Sequence, residues 1–136
     1  MRVVVDTNAL MMPVEADVRV FEELGRVLAD EGTAETVGDD HEVAVPRAVL
    51  AELQRLAEGA DEAATAAGVG LDLARDRCRV LDHDATNGDA AVLECGSREN
   101  VTHVVTNDGP LRDRLLDAGV PVISLRAKNK LAVNQP

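Results

Sequence analysis

Two kinds of hydrophobic pattern alternate along this chain. Short runs of Val, Leu and Ala have the length and composition of buried strands, and longer segments repeat apolar residues every three or four positions, as amphipathic helices do. The predicted strands are residues 2–5, 43–45, 79–81, 102–106 and 121–125, and the predicted helices are residues 15–30, 47–58, 60–76, 89–98 and 110–119. Residues 32–42 are polar and predict a loop. Because strands and helices alternate, the sequence predicts an α/β domain with a mostly parallel sheet of about five strands and helices on both faces.

Composition fits one globular domain. The 136 residues are 46% hydrophobic but only 1% aromatic, with Phe21 alone, so Val, Leu and Ala must form the core. No apolar run approaches the roughly 20 residues that span a bilayer. Asp6 interrupts the first apolar run, so we expect no signal peptide, no membrane partner and a cytoplasmic location. Cys78 and Cys95 lack zinc-like spacing and are expected to be reduced, apolar side chains.

Net charge is the unusual feature of the chain. Its value of −11 argues, taken alone, against nucleic acid, whose phosphates are bound by basic residues. An acidic chain poor in lysine and aromatic residues is also what concentrated salt would favour, and salt screens phosphate attraction. We therefore hypothesise a halophilic protein, for which the net charge does not exclude RNA. Arg126, Lys128 and Lys130 form the best basic cluster, within a predicted short tail of residues 126–136. They could hold RNA phosphates or form a solvated chain end.

Four carboxylates are predicted to meet at one edge of the sheet. Asp6 directly follows the first strand, and Asp108 lies shortly after the fourth. Asp89 falls in the first turn of a helix and Glu52 in the second turn of another. Ligands of open α/β sheets bind at this carboxyl edge. Carboxylates that lie close together repel one another, and a divalent cation relieves the repulsion. Oxygen ligands without His or Cys favour Mg²⁺ or Mn²⁺, which can activate water for attack on a phosphodiester.

Each acid also has an interpretation without chemistry. Asp108 could cap a helix, Asp89 could interact with a helix dipole, and Glu52 could be a solvated surface residue. Asp6 is the hardest to explain in this way, because it follows a buried strand and begins no helix in the predicted pattern.

Four short motifs in a fixed order carry a family resemblance. They are Val5-Asp6-Thr7-Asn8, Val45-Pro46 with Glu52 downstream, Gly88-Asp89-Ala90-Ala91 and Val105-Thr106-Asn107-Asp108. With these motifs the chain resembles, over nearly its full length, the PIN-domain family of metal-dependent ribonucleases. Residues 119–126 look like an archaeal branch related to ribosome-biogenesis PIN nucleases, and VapC-type toxins share the same four acids.

The resemblance implies a single PIN-like nuclease domain over residues 1–136. Its site would bind Mg²⁺ or Mn²⁺ and cleave single-stranded or loop RNA with activated water. The implied metal-binding and catalytic residues are Asp6, Glu52, Asp89 and Asp108, and the implied supporting or water-positioning residues are Asn8, Thr106 and Asn107. A homodimer and an antitoxin or ribosome-assembly partner would also follow from the resemblance.

Two other functional classes stay open. The same fold could be a catalytically silent module that binds RNA or protein, although the presence of all four acids favours activity. A phosphoryl-accepting receiver domain is disfavoured. A chain that resembled that family would have a lysine directly after its last strand, and this chain has Arg126 there. The pair His83-Asp84 is typical of metal phosphohydrolases but has no evident further ligands, and His41 and His103 are interpreted as structural or solvated.

Overall fold

The computed structural model describes residues 2–31 and 41–136. Within them, the strands are β1 Arg2–Val5, β2 Glu42–Pro46, β3 Arg79–Leu81, β4 His103–Val105, β5 Val122–Ala127 and β6 Lys130–Asn134. The helices are α1 Thr7–Glu15, α2 Val20–Glu31, α3 Arg47–Ala57, α4 Glu62–Arg77, α5 Gly88–Gly96 and α6 Gly109–Asp117. The strands form a sheet in the order β3-β2-β1-β4-β5-β6.

Strand β1 is in the middle of the sheet. It pairs in parallel with β2, where Val3 lies opposite Val43, and with β4, where Val5 lies opposite Val105. Its three valines are completely buried, as expected for a parallel strand covered on both faces. Strands β3 and β5 extend the parallel sheet, and among the described strands β6 alone runs antiparallel to its neighbour. The predicted α/β class with a mostly parallel sheet is confirmed.

The chain after β1 differs from the prediction of a single helix over residues 15–30. Two helices are present, α1 and α2, separated by a turn in which Asp17 has a φ of 52°. Helix α1 shows no amphipathic period because four consecutive residues, Ala9 to Met12, are all buried. It packs against α4 so closely that a Cβ on Gly70 would lie 2.6 Å from the carbonyl oxygen of Leu10.

The predicted basic tail also differs from the structure. Within residues 126–136, Arg126 and Ala127 end β5, and β6 adds a sixth strand. The apolar residue that anchors β6 is Leu131, which is 2% exposed and lies opposite Leu125. The local pattern is weak because Lys128 and Lys130 precede Leu131, which is the one fully buried residue of β6. Residues 32–40 of the predicted loop lie outside the described residues.

The core consists of aliphatic side chains, as the composition predicts. Phe21 is buried, and the guanidinium of Arg77 lies over its ring, 4.4 Å from the ring centre. Cys78 and Cys95 are free thiols, and burial raises the pKa of Cys78 to about 12, so this thiol stays protonated at neutral pH. None of the helices described is long and apolar enough to cross a membrane.

Candidate active site

Asp6 lies where β1 ends and α1 begins. Its Oδ1 accepts a hydrogen bond from the Ala9 amide at 2.8 Å, which makes Asp6 the N-cap of α1. Its Oδ2 accepts a hydrogen bond from the Thr106 hydroxyl. The expectation that Asp6 begins no helix is therefore wrong. A carboxylate three residues before Ala9, at the start of an apolar run, was the signal that could have indicated a cap.

The ionisation of Asp6 is strongly perturbed. The residue is 5% exposed, and burial raises its pKa to about 6 against the opposing effect of its two hydrogen bonds. The charges of Asp108 and Asp89 raise this pKa further. Two of the other three predicted carboxylates therefore act electrostatically on Asp6 at this edge of the sheet.

Thr106 connects two of these acids. It follows β4, is completely buried, donates its hydroxyl hydrogen to Asp6 and accepts a hydrogen bond from the Asp108 amide at 3.1 Å. The Asp108 carboxylate caps α6 through the Leu111 amide at 2.9 Å. One threonine thus fixes the end of β1 and the start of α6 relative to each other.

The two asparagines of the motifs differ in their contacts. Asn107 Oδ1 accepts a hydrogen bond from the Leu125 amide at 2.8 Å, and its Nδ2 lies 3.5 Å from the sulfur of Met12. Asn107 therefore attaches the loop after β4 to β5 and α1. Asn8 is exposed in the first turn of α1, two residues after the buried Asp6.

Glu52 reaches the same region from α3. This helix begins directly after β2, and the half-buried Glu52 lies against the start of α5. A Cβ on Gly88 would lie 2.9 Å from Glu52 Oε2, so the absence of a side chain at Gly88 leaves room for this carboxylate. Asp89, the next residue, is exposed in the first turn of α5.

His83 has a structural role between these two helices. Its Nε2 accepts a hydrogen bond from the Ala48 amide at 3.0 Å, and its Nδ1 lies 2.8 Å from the Ala85 carbonyl oxygen. The imidazole therefore joins the first turn of α3 to the segment before α5. These contacts explain His83 without phosphohydrolase chemistry.

The four carboxylates line one edge of the sheet but are not gathered tightly. Among residues 2–31 and 41–136, no three His, Cys, Asp or Glu side chains lie close enough together to hold one metal ion. The chemistry of the donor set nevertheless fits a hard divalent cation, because all donors are carboxylate oxygens. Each oxygen of Asp6 accepts one hydrogen bond and keeps a second lone pair. The unfavourable ionisation of Asp6 is what a nearby cation would relieve.

The predicted RNA-binding residues lie at the same end of the sheet. Arg126 is near the end of β5, Lys128 is in the turn that follows, and Lys130 begins β6. All three are exposed.

Comparison with known families decides the affiliation of the chain. The family model described as "PIN like domain" matches residues 3–128. The chain belongs to the PIN-like domain family. This confirms the resemblance found in the four motifs.

Solved structures show the same PIN-like fold at low sequence identity. The PIN domain endonuclease Utp24 is similar with a TM-score of 0.77 and 23% identity, over 99% of this chain and 92% of that one. VapBC2 from Rickettsia felis, solved bound to a DNA fragment from their promoter, gives a TM-score of 0.61 and 16% identity, over 93% of this chain and 100% of that one. No curated protein matches the sequence.

Proposed function

We propose that this PIN-like domain is a metal-dependent endoribonuclease that hydrolyses RNA phosphodiester bonds with activated water. The observation that carries the proposal is the state of Asp6, a buried carboxylate whose pKa is raised and which two further carboxylates repel. No described Arg or Lys forms an ion pair with any of the four acids. Perturbed acids without neutralising partners are typical of catalytic sites.

The proposed roles rest on the carboxylate donor set and on the contacts of the residues that support it. Asp6, Glu52, Asp89 and Asp108 would hold Mg²⁺ or Mn²⁺, which when bound supplies a Lewis acid and lowers the pKa of attacking water. Thr106 keeps the Asp6 carboxylate oriented, and Asn107 fixes the loop that carries Asp108. Asn8, which is exposed, would contact the substrate or water.

The cellular role is a finer part of the proposal. Similarity to a PIN domain endonuclease and to a toxin–antitoxin complex supports two settings, RNA processing such as that of rRNA and action as a toxin with an antitoxin partner. A homodimer or a ribosome-assembly partner would accompany one or other of these roles.

Cleavage of a labelled structured RNA tests the proposed activity. We expect the wild-type protein to cut it with Mn²⁺ or Mg²⁺ in high salt, and not in EDTA. Asp6→Asn should lower the rate by at least about 100-fold, the upper end of what loss of a supporting residue costs a metal site.

Asp61→Asn is the matched control for this assay. Asp61 caps α4 through the Ala64 amide at 2.9 Å, just as Asp6 caps α1, but it is exposed and outside the acidic edge. This variant should cut at the wild-type rate. Equal cutting by Asp6→Asn, or no cutting by the wild-type protein, would contradict the proposal, and the second result would favour a silent binding module.

A further inference from the structure

A groove with basic walls lies where α2 meets the β5–β6 hairpin. Its larger part has a volume of about 340 Å³ and is lined by Arg26, Arg126, Ala127, Lys130, Leu131 and Ala132. Three of these six residues are cationic and none is acidic. A smaller adjoining part of about 210 Å³ shares Arg26 and Arg126, and one acid, Asp30, is among its lining residues. In a chain with a net charge of −11, a groove with this lining is a marked local reversal of charge.

Arg26 is held in the wall of this groove by its own helix and by β6. Its Nη2 donates a hydrogen bond to the Leu131 carbonyl oxygen at 2.8 Å and another to Glu23 Oε1 at 2.8 Å. Glu23 is 8% exposed and accepts a hydrogen bond from the Leu131 amide at 2.9 Å. The Glu23 carboxylate is therefore beneath the groove, where it orients Arg26. The surface of the groove is formed by the cationic side chains.

Arg126 and Lys130 are freer to bind a ligand. Within the described part of the chain, Arg126 forms no ion pair, and Lys130 approaches Glu23 only to 3.7 Å with 61% of its side chain exposed. An incoming anion would therefore not have to displace a strong internal partner of either residue.

The groove is at the same end of the sheet as the four acids. Val5, Val105 and Ile123 lie side by side across β1, β4 and β5. Asp6 is one position beyond Val5, and Arg126 is three positions beyond Ile123. Strand geometry then places the Arg126 backbone about 10 Å to the side of Asp6 and about 7 Å further out. One single-stranded segment can reach from the groove to the acids.

From this juxtaposition we propose that the groove of Arg26, Arg126 and Lys130 binds the phosphates of the RNA strand next to the scissile bond. The inference rests on the proposed ribonuclease function and adds the path of its substrate. The acidic edge repels phosphates on its own, so cations beside it are needed to keep the strand there. Lys128, in the turn, does not line the groove and is not part of the proposed contact.

Fluorescence anisotropy of a labelled single-stranded RNA in EDTA, where no cleavage occurs, tests this binding separately from catalysis. The variant is Arg126→Gln combined with Lys130→Gln, which leaves Arg26 to hold β6. We expect the salt dependence of log Kd to fall by about 0.7 for each lost phosphate contact, or about 1.4 in total.

The matched control is Arg55→Gln combined with Arg114→Gln, which changes the net charge by the same amount. Both arginines are exposed in the last turns of α3 and α6, at the opposite end of the molecule, and should leave the salt slope unchanged. Thermal melts verify that both double variants are folded.

The outcomes separate the groove from the ribonuclease activity. A groove variant with the same Kd and slope as the control would overturn the groove proposal, even if the wild-type protein cuts RNA. Binding that depends on the groove, without any cleavage in Mn²⁺, would support the groove and contradict the ribonuclease. Labelled poly-glutamate that binds more tightly than RNA, and only through the groove residues, would overturn the proposal in favour of an acidic polypeptide.

Discussion

A buried carboxylate that no basic side chain neutralises destabilises the domain that contains it. Asp6 is such a group, since burial and two neighbouring acids together raise its pKa to about 6. Its hydrogen bonds from Ala9 and Thr106 offset only part of this effect. Natural proteins keep such unfavourable groups mainly where activity requires them. The loss of stability that Asp6 causes therefore supports a role of this residue in the proposed chemistry.

Replacing the charge of Asp6 should stabilise the metal-free protein. In the unfolded chain this carboxyl group has a pKa near its usual value of 3.8, whereas in the fold it is raised to about 6. The destabilisation is thus absent below about pH 4, grows between pH 4 and 6, and is complete above pH 6, where it reaches about 1–3 kcal/mol. Urea unfolding of Asp6→Asn in EDTA should show a gain of this size at pH 8.

The gain should also disappear toward pH 4, which distinguishes it from a general effect of the substitution. Asp61→Asn, at the exposed cap of α4, should show no comparable gain at either pH. A wild-type protein more stable than Asp6→Asn at pH 8 in EDTA would contradict the proposed electrostatics.

At the scale of elements, β6 depends on α2. Glu23 and Arg26 bind the amide and the carbonyl oxygen of Leu131, which point away from β5. Uncovered edge strands tend to pair with other chains, so this contact both attaches β6 and protects the sheet edge. It also places Arg26 in the groove wall.

Loss of the Glu23 charge should loosen β6. The Arg26 guanidinium, with the Leu131 amide, holds the pKa of Glu23 near 2, well below its ordinary value of 4.5. This stabilisation is complete above about pH 4.5 and is lost as the pH falls toward 2. Glu23→Gln should therefore reduce the free energy of unfolding by about 1–3 kcal/mol at pH 7 and by little near pH 2.

The neighbouring Glu22→Gln provides the control for this prediction. Glu22 is exposed on the same turn of α2. Urea titrations at the two pH values compare the variants, and equal stability of all three proteins at pH 7 would show that Glu23 does not hold β6.

The elements that could be predicted from the sequence have a clear local hydrophobic pattern, and those that could not be predicted lack one. Strands β1, β2 and β4 could be predicted because they are short runs rich in valine whose residues are almost all buried. Helix α1 was missed because its four consecutive buried residues, Ala9 to Met12, give no helical period, and β6 because only Leu131 is fully buried in it. Both elements are specified by tertiary packing, which leaves little local pattern.

The candidate site divides in the same way. Sequence could predict that Asp6 and Asp108 come after β1 and β4 and that Asp89 falls in the first turn of α5. The approach of Glu52 to Gly88 and of Arg26 to Leu131 depends on how separate helices pack. Arg26 is 105 positions from its partner and has no sequence signal at all.

At the scale of the whole molecule, the balance of charge is the dominant feature. The chain has 25 acidic and 14 basic residues. Several basic residues lie in ion pairs on the surface, which contribute little individually. The acidic side chains in excess repel one another, and this repulsion destabilises the folded state.

Salt should therefore stabilise the fold. Screening that recovers about 1 kcal/mol would raise the midpoint of thermal unfolding by roughly 3–6 °C for a domain of this size. Melts in low and in molar KCl measure the shift, with sucrose as a control for effects that do not involve charge. Equal midpoints in the two KCl concentrations would exclude both the self-repulsion and the salt adaptation hypothesised for this chain.

The position of β1 also has a consequence for how the domain folds. Val3 pairs with Val43 and with His103, which lie 40 and 100 positions further along the chain. Closing such long loops loses chain entropy before any pairing compensates for it, and this slows folding. The β5–β6 hairpin is the one local pairing among the described strands. The loss of chain entropy is therefore smallest for the hairpin that lines the basic groove. The central strand β1, which leads to Asp6, can pair only after distant parts of the chain have come together.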